Sequence, residues 1–574
     1  MLVDDDVGSQ LLTQRSSQSS SDLRDVSPTK FMWVAALMAS LSSILLGYDI
    51  GIMSGAIELI EQSEGYTDTQ KEVIMGSMNL VAPIGAIVAG KLSDNFGRRN
   101  GVAFGAVCFI AGSLLMASAR MFGMLLLGRI VVGLGVGGGI VVAPLYVSEL
   151  CPPGARGRFV SFAEISINAG ILLGYIVALL LHNELPLETG WRWMLGAGAA
   201  PGCVILLMLL LLPESPYYLV SKGELRQAEA SMQRTHRCDA VTLQTALDKA
   251  AADVLQRQRA ESSFKWKDIL CPRTRVLRHI VLLGCGIGIL QQACGSEAIV
   301  YYTPAILKRA GLESLDARLR ANLVVGLAKT LTILVATFTA DHYFGRRRLL
   351  LISTTMCSVS LLALSLCFWL ELPVLALLSS MSLFMIGFSV GLGPVVWMLL
   401  SEIFPLEIRG RAMSLATSLN RVTSGLVAIT FLSLSKGLGD GNAFFFYFWI
   451  GVLSVLFVLR LVPETRGKSF PQILRLLRYI ALGKCDVHGH RKTNKRSARP
   501  ASPVETAVPL NAHGRPARSL ASDFTSTTEH ESEHVDDFDS DDDGGSVHEA
   551  RTLASIDAVT GMFVIAADES NEDS

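Results

Sequence analysis

The sequence is short of charge. Only 18% of its 574 residues are Asp, Glu, Lys or Arg, where a soluble chain of this size carries about a quarter. That deficit argues against an ordinary soluble enzyme or binding domain. No Asn-x-Ser/Thr sequon occurs, so N-glycosylation is not expected. The ten cysteines show no CxxC and no paired spacing, which argues against a disulfide framework or a cysteine metal site. Cys108, Cys151, Cys203, Cys285, Cys294, Cys357 and Cys367 lie in or beside apolar runs and read as small buried hydrophobes. No nucleophile–base pair or metal spacing stands out, so no enzyme, metal or cofactor is expected. A signal peptide is not expected either. The first thirty residues are polar and Ser-rich, and the first apolar run is too long for a signal h-region.

What the sequence has instead is long apolar runs. Half of its residues are hydrophobic. FMWVAALMASLSSILLGYDIGIMSGA begins at Phe31 and is longer than the roughly 20 residues a helix needs to cross hydrocarbon. Similar runs start near Glu72, Gly101, Met121, Phe159, Trp191, Leu277, Ala321, Leu349, Leu372, Ala412 and Ala443. The expectation is an all-α membrane protein with twelve spans.

The net charge of −1 conceals an alternation. Basic clusters fall in every second loop: Lys91 to Arg99, Arg156 with Arg158, Lys222 to Arg275, Arg346 to Arg348, and Arg409 with Arg411. The positive-inside rule puts these loops and both termini in the cytoplasm. The expected membrane is the plasma membrane, with an internal vacuolar membrane as the alternative.

Five segments follow: a disordered cytoplasmic tail over 1–30, a six-helix half over 31–212, a cytoplasmic loop over 213–275, a second half with a short following helix over 276–482, and a disordered acidic tail over 483–574. The loop carries Leu243, Leu247, Ala251 and Val254 at helical spacing and is expected to form one to three amphipathic helices. The last segment contains EHESEHVDDFDSDDD and too little apolar surface to bury a core.

The two halves repeat. GRR at Gly97 recurs at Gly345, Glu149 with Arg156-Gly-Arg recurs as Glu402 with Arg409-Gly-Arg, and PES at Pro213 recurs as PET at Pro463. The offsets of 248, 253 and 250 residues are nearly one number, which indicates an internal duplication in parallel orientation. A solute site then belongs between the halves.

The motifs GYDIGIMSGA, DNFGRRN, GRIVVGLGVGGGIVVAPLYVSEL, PESPYYL, QQACGSEAIVYYTP, GPVVWMLLSEIFPLEIRGRA and PETRGKS, in this order, resemble the sugar-porter branch of the major facilitator superfamily. SFAEISINAGILLGY, GLAKTLTILVATF and LNRVTSGLVAITFLSL bring it nearest in pattern to plant-type polyol and monosaccharide proton symporters. The resemblance covers about residues 31–480. It implies the major facilitator fold and alternating access, with a sugar or polyol and a proton entering together. The partners are then a small polyhydroxylated solute and the bilayer, without nucleic acid, in a chain acting as a monomer. A facilitative uniporter and a transporter-like sugar sensor are the alternatives.

Asp49 lies deep in the first span, where a central carboxylate costs about 2.5–3.5 kcal/mol and needs a partner or a task. The resemblance pairs it with Arg129 and makes its protonation the coupling event. A static ion pair is the plainer reading. The glycines Gly133, Gly135, Gly137, Gly138 and Gly139 fit close helix approach and not a phosphate loop, since no strand precedes them.

Solute contacts need groups that donate and accept. Gln291 and Gln292 offer both, and Trp397 offers an apolar face. The resemblance places these on the solute site, with Tyr301 of the same motif and Asn420. Glu164, Glu297 and Lys329 depart from the hexose-porter pattern, which has Gln, Asn and Asn there. Carboxylates only accept hydrogen bonds, which suits a polyol. A structural Lys329–Glu297 bridge is the alternative.

Asp94, Arg98, Arg99, Glu149 and Arg156 form one acid–arginine set, which Asp341, Arg346, Glu402 and Arg409 repeat. Guanidinium forks bridge carboxylates across helix ends, so the sets read as cytoplasmic gates. Plain topogenic charge is the other reading. DHYFGRR has one more residue before its glycine than DNFGRR, so the second network is expected to differ in register. Glu214 and Glu464 match the family's partners for these networks.

Overall fold

The computed structural model describes residues 27–482 apart from 152–155, 264–265, 273, 340–344, 406–407 and 469, with backbone only for 27–28, 156–161, 257–263 and 338–339. The expected acidic tail and residues 1–26 of the expected N-terminal tail thus lie outside the described residues, whereas residues 27–30, expected to be disordered, are held in a short strand and the start of the first helix because their backbone pairs with the chain near His236. Among the described residues, twelve helices are long and apolar enough to cross a membrane. In chain order they are α1 Lys30–Glu64, α2 Asp68–Phe96, α3 Arg98–Ala117, α4 Phe122–Leu150, α5 Phe162–Glu184, α6 Leu187–Leu211, α7 Arg275–Arg309, α8 Leu315–Thr337, α9 Arg346–Trp369, α10 Val374–Ile403, α11 Arg409–Leu438 and α12 Asp440–Leu461. At 1.5 Å per residue even α3, with 20 residues, spans about 30 Å, the thickness of a hydrocarbon core. Helices suit that setting because they satisfy every backbone group internally.

The turns are punctuated locally. Gly65 ends α1 in the left-handed region at φ 68°, and Thr67 and Gln70 make a reciprocal capping box at the start of α2. Three spans are interrupted. α6 breaks around Ala197–Gly198. α7 breaks at Cys294–Gly295, where Gly295 has φ 87°, and α10 breaks at Gly391. Breaks in spanning helices are tolerated where neighbours satisfy the freed groups. At Gly391 the following Leu392 N–H donates to Ser353 Oγ at 2.9 Å.

α1–α6 and α7–α12 form two six-helix halves. In the first, α1 packs on α5, α2 on α4 and α3 on α4. In the second, α7 packs on α11, α9 on α12 and α8 on α10. Across the halves, α2 packs on α11, α5 on α8 and α1 on the second segment of α7. The successive helices alternate direction, so the starts of α1, α3, α5, α7, α9 and α11 share one end. We name it the basic end.

The connection between the halves departs from expectation in detail. It holds four helices, Pro216–Ser221, Leu225–Thr235, Ala240–Ser263 and Trp266–Leu270, where one to three are expected. Its inward stripe is Leu243, Ala246, Leu247 and Ala250, with Leu219, Ala228 and Met232 opposite. Ala250 takes the place expected for Ala251, because the neighbouring helix decides which of two adjacent alanines it covers. A two-residue strand, β1 Ser27–Pro28, pairs antiparallel with β2 His236–Arg237, a small exception to the all-helical plan. Thr29 Oγ1 extends the pairing by donating to Arg234 O at 2.6 Å. After α12 the helix Phe470–Ala481 buries Ile473, Leu476 and Leu477 against α7 and α10.

Candidate functional site: a buried polar axis between two halves

Arg129 and Asp49 meet inside the first half. Arg129 Nη1 lies 2.8 and 2.6 Å from the two Asp49 oxygens, and neither residue is exposed beyond 2%. Arg129 Nε donates to Ile74 O on α2 at 3.0 Å, so one guanidinium ties α1, α2 and α4 together. Arg129 Nη2 has no partner. The close approach rests on glycine. A Cβ on Gly133 would lie 2.8 Å from Met78 O, one on Gly135 would lie 2.7 Å from Gly105 O, and one on Gly137 would overlap Ala82 O. Gly138 meets Ala89 Cβ at 2.9 Å, whereas Gly139 meets only Ser42 Cβ at 4.0 Å and has room for a side chain. Of the five glycines, Gly139 alone is therefore not needed for helix approach.

The break in α7 sets the other side of the axis. Gln291 and Gln292 close its first segment, and Glu297 sits in the first turn of its second segment, Ser296–Arg309. A helix N-terminus favours a carboxylate. Glu297 Oε2 and the Tyr301 hydroxyl, one turn on, are both buried without a hydrogen-bond partner. Tyr301, in the second half, lies in the field of Glu297 and Arg421 and of the Arg129–Asp49 pair of the first half.

Gln291 and Asn420 are occupied by the protein. Gln291 Nε2 donates to Leu392 O, in the first turn after the α10 break, at 2.5 Å. Its Oε1 accepts from Asn420 Nδ2 at 2.7 Å. Asn420 Nδ2 also donates to Gly288 O at 2.8 Å, and Arg421 Nε and Nη2 donate to Asn420 Oδ1 at 3.1 and 2.8 Å. Gln292 Oε1 accepts from Ser296 Oγ at 3.0 Å. Trp397 is half-buried on the second segment of α10, packed against the core.

Glu164 on α5 reaches the second half, its Oε1 beside Gly393 of α10. Lys329 lies in the field of Glu297, Glu164 and Arg421, with Nζ 5.8 Å from the Phe388 ring centre. Among the described ion pairs none joins Lys329 to Glu297 or Glu164, so the static bridge that the sequence allows is not formed here.

At the basic end the described members of the two acid–arginine sets have nearly identical atomic plans, while the register difference expected from DHYFGRR falls on Asp341, outside the described residues. Arg98 binds Asp94 at 2.5 Å and Glu149 at 3.0 Å, while its backbone N–H donates to Glu214 at 2.8 Å. Arg346 binds Glu402 at 3.3 Å, and its N–H donates to Glu464 at 2.9 Å. Ser215 Oγ donates to Glu149, and Thr465 Oγ1 to Glu402, each at 2.6 Å. Arg99 donates to Leu209 O and Arg347 to Leu459 O, each at 2.7 Å. Glu214 and Glu464 thus cap the N-termini of α3 and α9, which the helix dipole favours. A Cβ on Gly97, at φ 105°, or on Gly345 would collide with these carboxylates. Burial pushes the Glu214 carboxyl up, opposed by the N–H groups of Ser215, Arg98 and Arg99. Arg409 donates to Phe404 O at 3.1 Å and stacks 5.2 Å from the Phe470 ring centre. Asp341 and the Arg156 side chain lie outside the described residues.

These described bonds each stay within one half. Most described polar bonds that join the halves lie toward the other end; nearer the basic end, Thr330 Oγ1 of α8 donates to Asn168 O of α5 at 3.3 Å. Asp68 binds Lys436 at 2.5 Å, and Glu72 accepts from Ser433 N at 2.7 Å. Glu61 binds Lys308 at 3.1 Å, and the Tyr175 hydroxyl donates to Val300 O at 3.0 Å. Glu58 binds Arg318 and Ser54 binds Asn322. Sequence reading passed over Glu58, Glu72 and Arg318 because charges near span ends normally mark the interface.

Broken spanning helices, a buried acid–arginine pair and two repeated halves joined at one end define a multi-pass membrane transporter of the major facilitator fold. The model of the family Sugar (and other) transporter matches residues 35–477, and the chain belongs to that family. It is 40% identical over 461 residues to the Arabidopsis thaliana protein named probable polyol transporter 4, covering 79% of this chain and 86% of that one. It is 32% identical over 440 residues to the Staphylococcus epidermidis glucose transporter GlcP, covering 76% and 95%. Among solved structures it is similar to the E. coli xylose transporter XylE in a partially occluded inward open conformation. The TM-score is 0.65 at 26% identity, over 77% of this chain and 100% of that one. These relatives are transporters, not enzymes.

Proposed function

We propose that the chain is a proton-coupled symporter of a sugar alcohol or monosaccharide, working by alternating access between its two halves. The observation that carries the coupling is the Asp49–Arg129 pair, which is fully buried and built into three helices. A proton on Asp49 removes the charge that Arg129 holds and leaves the guanidinium to re-pair, a change large enough to bias a two-state scaffold. The polyol assignment is supported by Arabidopsis relatives named polyol transporters and by Glu164 and Glu297 on the polar axis. A related structure carries the description proton:xylose symporter.

The basic end is cytoplasmic, by the alternation of charge. The described ion pairs between the halves lie at the opposite end, which supports a conformation that faces inward. Gln291, Gln292, Glu297, Glu164, Tyr301, Trp397 and Asn420 contribute to the solute site, with Gln291 and Asn420 released from their present partners when solute binds. The protein acts as a monomer in the plasma membrane.

The test is uptake of labelled sorbitol, inositol, xylose and glucose into a transport-deficient cell at pH 5.5 and 7.5. Symport predicts faster, uphill uptake of at least one solute at the lower pH, abolished by a protonophore. Uptake that only equilibrates, indifferent to pH, would establish a uniporter instead.

A further inference from the structure

The end opposite the basic one is closed by a ladder between α1 and α8. Ser54 and Glu58 are four residues apart on α1, and Arg318 and Asn322 are four apart on α8. The helices run antiparallel, so two rungs of equal spacing meet. Glu58 accepts from Arg318 Nη1, and Asn322 Nδ2 donates to Ser54 Oγ at 3.0 Å. Glu58 is 2% and Arg318 1% exposed. Gly55 lies between the rungs, where a Cβ would fall 2.6 Å from Ala178 Cβ and 3.4 Å from Leu319 Cδ2.

We propose that Glu58 and Arg318 are a further pair of transport residues, the lock that holds the two halves together at this end and must open once per cycle. The proposal rests on the alternating-access reading above. Glu58 belongs to the first half and Arg318 to the second, so no motion that parts the halves here leaves the bond intact. The closed arrangement is also incompletely satisfied: Arg318 Nε and Asn322 Oδ1 are buried without partners. Water admitted by opening would satisfy both, which keeps the lock within reach of opening. The neighbouring pairs Lys308–Glu61 and Lys436–Asp68 have lysines 42% and 64% exposed and contribute little by comparison.

A buried ion pair contributes little net stability, but removing one member strands the other. Glu58→Leu or Arg318→Met therefore disfavours the closed state, on the order of a hundredfold. The double variant Glu58→Leu with Arg318→Met strands nothing and closes again, held by apolar contact.

The experiment places a reporter, Leu319→Cys, beside the lock in otherwise native protein. A membrane-impermeant maleimide is applied from the side opposite the basic end, and modification of residue 319 is read by peptide mass spectrometry. Each single variant should label on the order of a hundredfold faster than the intact lock, and the double variant should return to the intact rate or below. Singles that label at the intact rate, or a double that labels as fast as the singles, would overturn the proposal. Should a single variant fail to insert, a second measurement decides. Ser54→Cys with Asn322→Cys should stop transport on oxidation and restore it on reduction, and transport surviving complete cross-linking would refute the lock. Labelling needs no solute, so a correct labelling pattern without sugar uptake would overturn the solute assignment and leave the lock standing.

Discussion

Arg129 holds both carboxylate oxygens of Asp49 through one nitrogen, Nη1, while its Nη2 has no partner. A guanidinium used this way is not saturated. It has a donor ready for another acceptor once Asp49 is neutral.

Asp49→Asn removes the titratable group and keeps its size. Uphill accumulation should vanish while exchange of labelled for unlabelled solute persists. Counterflow from preloaded vesicles, measured beside accumulation in intact cells, separates the two. Undiminished accumulation in the variant would assign coupling elsewhere.

Arg98 and Arg346 occupy equivalent places in the repeat, each between a carboxylate of the next helix and a capping glutamate. Removing either should slow turnover about tenfold or more and leave solute affinity within about twofold. Arg409→Ala should do the same by loosening the Phe404 and Phe470 contacts at the start of α11. Initial rates over a range of solute concentrations give maximal rate and KM separately. A fall confined to affinity would make these residues ligands.

Glu297→Asn should shift preference from linear polyols toward hexoses. The carboxylate demands a donor, which every hydroxyl of a polyol supplies, and its Oε2 has no protein partner. Leaving such a group unmatched costs about 1–3 kcal/mol, or roughly tenfold. Glu164→Gln should act in the same direction and more weakly. Competition of sorbitol, mannitol, inositol, xylose and glucose against one labelled solute measures the order, and an unchanged order would remove these carboxylates from the solute site.

Glu214 gives a pH prediction. Its carboxyl is pushed above its usual 4.5 by burial. The folded state therefore holds the proton more tightly than the unfolded chain, and the stabilisation is fully present below the unfolded value and is lost as pH rises through the folded one. Glu214→Gln removes that dependence. The melting temperature of wild type relative to the variant should rise as pH is lowered from 7 toward 4.5, in purified protein by thermal scan. A constant difference would mean that Glu214 titrates normally.

Some of this arrangement was readable before any fold was known. Apolar runs and repeat offsets are local, and a carboxylate such as Asp49 stands out because nothing nearby in sequence is charged. Other features were not readable. Gly295 and Gly391 break α7 and α10, yet glycines such as Gly284 and Gly387 sit unbroken in the same helices. Which glycine breaks a helix depends on whether a neighbour, here Ser353 for Leu392, satisfies the freed backbone.

By itself the sequence determined twelve spans, the duplication, the alternation of charge and the residue types able to carry a proton or meet a hydroxyl. Hydrophobic length and composition decide these, and both are properties of contiguous residues. Only the tertiary structure decided that Gln291 spends its amide on Leu392 and Asn420, that Glu214 caps α3 across 116 residues, and that Glu58 finds Arg318 across 260. Side-chain partners inside a membrane are chosen by which helix faces meet. A pairing that depends on helix packing and on the conformational state leaves no mark on either stretch of sequence alone.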